Sequence, residues 1–247
     1  MLKAAIDTEV FKEAVEVVAA IVSECRLNIS ANGLAVRAVD TANVAMISLE
    51  LGAPAFNTFA AGDSQIGLDI SKLKNIVASI NKADVLTLDL PDGAYKMELA
   101  YGGFKYSISL LDVNTVRKDP NLPSIQLPGK VVIAGAELNN AIKAASLVSD
   151  KIAFGINPDN ETFYMEADGD TDHINLEIKA ADLKTFIPAE ARSLFSLDYL
   201  KDMGRVMSKA EEVEIFLGKD HPVKFVFTIA GGEGKVEYLL APRIESD

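Results

Sequence analysis

The sequence predicts an α+β protein of two similar domains, each a pair of helices laid against antiparallel strands. Three observations carry that prediction. The chain of 247 residues repeats itself at about half its length. Four stretches place apolar residues at three- and four-residue spacing, the pattern of an amphipathic helix. Between them lie apolar or alternating runs bounded by turn signals, the pattern of strands.

The repeat is read by following one match outward. "IVSE" occupies 21–24 and "LVSD" occupies 147–150, an offset of 126. Beyond it Asp40 falls opposite Asp168, Leu49 opposite Leu176 and Leu51 opposite Ile178. Leu68-Asp69 then matches Leu197-Asp198, Lys82-Ala83-Asp84 matches Lys209-Ala210-Glu211, and Lys105 matches Lys235. The offset drifts only from 126 to 130, so the matches share one order and spacing. Internal duplication explains this better than two unrelated domains. The halves are joined by "RKDPNLPSIQLPG", which holds Pro120, Pro123 and Pro128. Each proline fixes φ and removes an amide donor, so the joint is extended and belongs to no sheet interior. The expected organisation is a first domain at 1–112, a connector at 113–128 and a second domain at 129–247.

The elements follow in order. The first helix is expected at about 9–24, with Val10, Phe11, Ala14, Val15, Val18, Ile21, Val22 and Cys25 on one face. Thr8 is placed to cap it. "LAVRAV", "VAMISLEL", "DVLTLDL", "YKMELAY" and "KYSISLL" read as strands. "PDG" at 91–93 is a hairpin signal. The second helix is expected at about 71–81, with Leu73, Ile76, Val77 and Ile80 inward and Ser71 near its start. Its counterparts in the second half are expected at about 136–149, with Leu138, Ile142, Ala145 and Val148 inward, and at about 197–208, with Leu200, Met203 and Met207 inward. "FYMEA", "INLEIK", "VEIFL", "VKFVFTI" and "KVEYLL" are the later strands.

Composition narrows the function. No window approaches about 18 uninterrupted apolar residues, and the N-terminal stretch carries acids that a signal peptide lacks. The single Cys25 leaves no internal disulfide and no cysteine-based zinc site. A soluble, intracellular (cytoplasmic) protein is expected. The net charge of −12 argues against nucleic acid when taken alone. A total hides its distribution, however, and phosphate binding depends on where the positive charge sits.

The sequence holds no recognisable catalytic set, and neither an enzyme nor a cofactor site is expected. His173 and His221 sit in no nucleophile or HExxH frame and read as surface polar residues. Asp168, Asp170 and Asp172 alternate like the start of a calcium loop. His173 and Lys179 stand where such a loop needs Gly and Glu, so no metal is expected. "AGGEGK" at 230–235 lacks the spacing of a phosphate-binding loop. The basic residues say more. Lys201, Arg205 and Lys209 follow i, i+4, i+8, opposite Met203 and Met207. Lys72, Lys74 and Lys82 belong to the second helix and Lys143 to the third. In so acidic a chain, bases recurring on helices of both halves suggest positive charge gathered on the helix side.

Four stretches of the chain resemble the DNA sliding clamps of the proliferating cell nuclear antigen family, in their archaeal form. They are "LAVRAVDTANVAMISLEL", "YSISLLDVNTVR", "SLFSLDYLKDM" and the tail "VEYLLAPRIESD". The resemblance covers the whole chain in order. It implies three two-domain subunits closed head to tail into a trimeric ring around double-stranded DNA, helices toward the hole and sheets outside. Such a ring is a polymerase processivity factor in DNA replication and repair. By position it implies Lys12, Lys72, Lys74, Lys143, Lys201, Arg205 and Lys209 as DNA-facing residues. The first helix also carries Glu9, Glu13 and Glu16, and Ala19 where the family often has a base. Tyr106, Ile108 and Leu110 are implied as one side of the subunit interface, and Ile174, Leu176 and Ile178 as the other. Within a subunit, "VAMISLEL" should pair with "KVEYLL". Clamp-binding peptides of a DNA polymerase, clamp loader, flap nuclease and DNA ligase are implied as partners. Their pocket would be formed by Val39, Asn43, Val44 and Met46, by Leu122, Pro123 and Leu127 of the connector, and by Leu239, Ala241, Pro242, Arg243 and Ile244 of the tail. Two other readings remain open: one subunit of a heterotrimeric clamp, and a duplicated α+β enzyme or small-molecule-binding protein.

Overall fold

The computed structural model describes residues 1–81 and 84–244. Lys82 and Ala83 of the repeat, and the acidic end 245–247, lie outside the described residues. The chain divides into two compact units. The first takes Met1–Thr41, Met46–Asn121 and Thr228–Val236, and the second takes Ala42–Ala45, Leu122–Phe227 and the chain from Glu237 onward.

In the first half, β1 (Leu2–Asp7) leads into α1 (Thr8–Ala19). There follow β2 (Glu24–Ser30), β3 (Gly33–Val39), β4 (Ala45–Gly52), β5 (Thr58–Ala61) and β6 (Ser64–Asp69). Next come α2 (Ile70–Ala78), β7 (Val85–Leu90), β8 (Lys96–Tyr101) and β9 (Phe104–Ser109). One sheet runs β5-β1-β7-β8-β9, and β4-β3-β2-β6 lie side by side in another.

The second half repeats this element by element. It comprises β10 (Gly129–Ile133), α3 (Gly135–Ala145), β11 (Lys151–Asn157), β12 (Thr162–Asp168) and β13 (His173–Lys179). Then come β14 (Thr185–Ile187), β15 (Ala191–Ser196), α4 (Leu197–Met207), β16 (Val213–Leu217), β17 (Val223–Ile229) and β18 (Gly234–Leu240). Its strand orders are β14-β10-β16-β17-β18 and β13-β12-β11-β15. Raising each strand number of the first half by nine reproduces both orders. The expected pairing of "VAMISLEL" with "KVEYLL" is marked at its two ends. Within the first unit the Gly52 N–H donates to the Glu233 carbonyl at 2.9 Å, and within the second the Ala241 N–H donates to the Val44 carbonyl at 2.8 Å.

All four helices are shorter than the apolar spacing predicts, and three end for the same reason. Ser79, Ser146 and Ser208 each turn a hydroxyl onto the carbonyl three residues back, at 2.7 Å. A serine that bonds its own backbone competes with the next helical turn. Val148 therefore belongs to the turn after α3, and Ile21 and Val22 lie past the end of α1. The helix starts also differ from expectation. Asp7 holds the cap position of α1, while Thr8 is its first residue, buried, with its hydroxyl donating to the Asp84 carbonyl at 2.6 Å. For α2 the cap is Asp69, which accepts from the Lys72 N–H at 2.8 Å, so Ser71 is already inside the helix.

In each unit the helices pack as a pair with their apolar faces inward. Phe11, Ala14, Val15 and Val18 of α1 and Leu73 and Val77 of α2 are buried in the first unit. Leu138 and Ile142 of α3 and Leu200, Met203 and Met207 of α4 are buried without measurable exposure in the second. The pair α3 and α4 approach closely at Gly204, where a Cβ would meet the Ile142 side chain at 2.9 Å. Burying such side chains is the main stabilising term, roughly 2 kcal/mol for each.

Candidate functional site

The basic residues lie as the amphipathic pattern requires, on the outward faces of the helices. Lys201 and Arg205 of α4 are exposed, one turn apart, and opposite the buried Met203 and Met207. Lys209 does not extend this row, because α4 ends at Met207 and Lys209 sits in the following turn. The row is also part-neutralised. Arg205 donates to Asp202 at 3.1 Å, and Lys201 stands 3.9 Å from Asp198. Lys143 is exposed in the last turn of α3. In the first unit Lys72 is exposed on α2, whereas Lys74 and Lys12 are half-buried. Glu13, one of the acids of α1, accepts a hydrogen bond from the Ala230 N–H at 3.2 Å. It is therefore engaged with the β17–β18 tip.

Six strands end their sheets among the described residues, β5, β6, β9, β13, β14 and β15, and two of them bear on assembly. β9 is the last strand of its sheet and β13 the first of another. An edge strand leaves a row of N–H and C=O groups for another strand to bind. On β9, Phe104 and Tyr106 are exposed and both stack on Tyr101, at 5.5 and 6.1 Å between ring centres. The neighbouring Tyr101 hydroxyl raises the Tyr106 phenol above its usual range. Ile108 is 1% exposed, opposite Met97, and points into the core of its own unit. Tyr106 and Ile108 share one face of the strand, which is covered at Ile108 and open at Tyr106. Leu110 lies just past the end of β9. On β13, Ile174 and Leu176 are half-buried and Ile178 is buried.

The residues of the expected peptide pocket fall into both units, and each group is placed within its own. In the first, Val39 and Met46 are Cα partners across β3 and β4 and both are half-buried. In the second, Asn43 is exposed with φ at 58°. That left-handed backbone suits Asn better than a bulky residue. Val44 is half-buried and its carbonyl holds the tail through Ala241. Leu122 of the connector is 46% exposed, Pro123 is exposed, and Leu127 is half-buried against Gly218. Leu239, Ala241 and Pro242 are half-buried, and Ile244 is 90% exposed. Beside the tail, Pro242, Arg243 and Ile244 line a cleft of about 510 Å³ with Arg192, Glu166 and Asp168 among its other walls.

Several residues that shape this region carry no signal in the sequence. Arg26 of β2 donates twice to the Val116 carbonyl, at 2.9 and 3.2 Å. Asn28 donates to Asp119 at 2.7 Å, and Arg117 donates to the Asp40 carbonyl at 2.7 Å. These long-range polar contacts fix the start of the connector, and no local spacing announces them. Asp40 is buried, and Asp168 sits in the β12–β13 hairpin beside His173, 2.6 Å away. Among the described residues no group of three or more His, Cys, Asp or Glu side chains is arranged to hold a metal. No helix among them is long and apolar enough to cross a membrane.

Comparison with known proteins gives one consistent result. Residues 1–112 match the family model described as "Proliferating cell nuclear antigen, N-terminal domain". The DNA polymerase sliding clamp of Methanoculleus marisnigri is 62% identical over 247 residues, covering 100% of both chains. That of Methanoregula boonei is 63% identical over the same span, again 100% of both. Among solved structures, A. fulgidus PCNA bound to the C-terminal region of FEN-1 superposes with a TM-score of 0.94 at 36% identity, covering 100% of each chain.

Proposed function

The chain belongs to the proliferating cell nuclear antigen family of DNA polymerase sliding clamps, and from that premise we propose that it closes into a homotrimeric ring around double-stranded DNA. Its function is that of a sliding clamp, a processivity factor that tethers polymerase and other replication and repair proteins to DNA. It performs no chemistry of its own and works in the cytoplasm, on the nucleoid. Each subunit is a first domain at 1–112, a connector at 113–128 and a second domain at 129–247.

The observation that carries the ring is the pair of open strand edges, β9 and β13. A head-to-tail contact that pairs one with the other gives a ring where the rotation between copies closes. Closure covers β9 and β13 of every copy, two edges that a lone subunit leaves exposed. Tyr106 and Leu110 would meet Ile174, Leu176 and Ile178 of the next copy, with Ile108 supporting β9 from within.

Lys12, Lys72, Lys74, Lys143, Lys201, Arg205 and Lys209 would face the DNA. Weak, sequence-blind phosphate contacts let a ring slide, and a net charge of −12 keeps DNA from adhering elsewhere. The peptides of a polymerase, clamp loader, flap nuclease or ligase would be bound by Val39, Asn43, Val44 and Met46, by Leu122, Pro123 and Leu127 of the connector, and by the tail from Leu239 to Ile244. The solved relative carrying the C-terminal region of FEN-1 supports such docking of a nuclease.

Native mass tests the ring. A trimer is expected at micromolar concentration, and Tyr106→Glu should give monomers by placing a charge at the shared edge. A wild-type monomer in light scattering would refute closure. Replacing Lys201, Arg205 and Lys209 together by Ala tests the inner face. DNA affinity should fall most at low salt, since each lost phosphate contact removes about 0.9 from the salt slope. Wild-type processivity on a primed circle at every salt concentration would put DNA on another face.

A further inference from the structure

The tail from Ala241 to Ile244 lies alongside β15. The Arg243 N–H donates to the Leu194 carbonyl at 2.7 Å, as an added strand would. The Arg243 side chain turns the other way and donates through Nη1 to Asp150 Oδ2 at 2.6 Å. Asp150 is the last residue of "LVSD", the motif that opens the repeat, in the turn between α3 and β11. Its main chain is fixed as well, because its carbonyl accepts from the N–H of Leu197, the first residue of α4, at 2.9 Å. The carboxylate therefore stands on a rigid seat between two helices and reaches the tail from there. The Arg243 guanidinium hydrogen-bonded to it holds its carboxyl below the usual carboxylate range. Glu24, the equivalent residue of "IVSE", forms no ion pair within 4 Å among the described residues.

We infer that Asp150 is a positioning residue for partner binding: by latching Arg243 it fixes the path of Pro242 and Ile244 and so sets one wall of the peptide groove. This rests on the reading of that groove given above. The latch is a short charge-assisted bond, directional enough to choose one arginine rotamer. It is also exposed, with side chains 67% and 44% accessible, so it tunes the tail rather than holding the fold. A groove whose wall hangs on one such pair can be reset by a partner that offers its own carboxylate to Arg243. Acidic residues in a docked peptide, near the end that meets the tail, would compete with Asp150 for the guanidinium.

Hydrogen exchange and calorimetry on the intact protein test this together. In Asp150→Asn the C-terminal fragment from Ala241 onward should exchange faster, while native mass and thermal midpoint stay at wild type. Affinity for a synthetic peptide with a Gln, an aliphatic residue and paired aromatics should fall about twofold to fivefold. Asp150→Arg should lower it further, and Asp150→Arg combined with Arg243→Asp should restore both tail protection and affinity, which a merely structural role of Asp150 would not allow. Unchanged tail exchange in both single variants overturns the latch. Faster exchange with unchanged affinity overturns its role in the groove. A wild type that binds no peptide would refute the groove itself, while the exchange result still decides the latch.

Discussion

Two segments leave the sheets of this chain in the same way and are then held very differently. After β9 the chain turns onto the edge of β6, where Leu111 bridges Gly67 and its N–H donates to the Gly67 carbonyl at 3.0 Å. After β18 the chain turns onto the edge of β15 through Arg243 and Leu194. The duplication copied the device: a strand's continuation covers a neighbouring sheet edge. Its reinforcement was not copied. The first segment is further bound by Arg26 to Val116, Asn28 to Asp119 and Arg117 to Asp40. The second has one exposed ion pair and ends with Ile244 almost wholly uncovered. The first must hold as the chain runs on into the connector. On the proposed reading the second must yield to a docked partner, and local stability is low where binding needs adjustment.

The sharpest way to break this comparison is to force the first segment off its edge. A Cβ at Gly67 would sit 2.7 Å from the Leu111 carbonyl oxygen and 3.1 Å from a Val116 methyl. Gly67→Val should therefore cost about 1–3 kcal/mol, the usual penalty of overpacking. The thermal midpoint should drop by about 3–10 °C for a chain of this size. Truncation after Leu240, which removes the second segment, should lower it by less than about 2 °C while abolishing peptide binding. If calorimetry found the two losses equal, the tail would be as structural as the connector root.

A second test exchanges stability for affinity. Leu122→Ser with Ile244→Ser removes two apolar side chains that are 46% and 90% exposed, so the free protein loses little packing. A peptide that buries them loses roughly 2 kcal/mol, and its affinity should fall about thirtyfold. The native mass should stay that of the wild type. An unchanged dissociation constant in titration calorimetry would move the site elsewhere.

How much of this was legible follows from where each signal resides. The duplication, the four helices and the strands of each half were readable, because each is a local pattern of apolar spacing repeated at a steady offset. The helix ends were not, since Ser79, Ser146 and Ser208 stop their helices by bonding backward, and spacing alone runs past them. The inward direction of Ile108 was not readable for a related reason. "KYSISLL" shows a strand, but the phase of its alternation is set by what packs beneath it. The tail was visible as apolar residues around a proline. Asp150 and Arg26 were not visible as its support and that of the connector, because their partners lie 93 and 90 residues away in sequence.

The smallest effect tests the comparison at its finest scale, with Cys25 as reporter. This thiol lies on β2 beneath the connector root, 2% exposed. Burial first, and then the nearby charges of Asp119 and Glu24, push its pKa up to about 12. At pH 8 the thiolate is then only about one part in ten thousand, so a thiol reagent should label the native protein very slowly. Asn28→Ala removes the donor that holds Asp119 over this site. Two consequences run the same way: the root opens more often, and a displaced Asp119 no longer holds the thiol protonated. Losing one such hydrogen bond shifts a local opening equilibrium by about 1 kcal/mol, so labelling should quicken about fivefold. Asp150→Asn, which loosens only the tail, should leave the rate unchanged. Equal labelling of wild type and Asn28→Ala would mean that Asn28 and Asp119 do not restrain the connector root. Its firmness would then rest on Arg26, Arg117 and the Leu111 bridge, and the two segments would differ by less than their hydrogen bonds suggest.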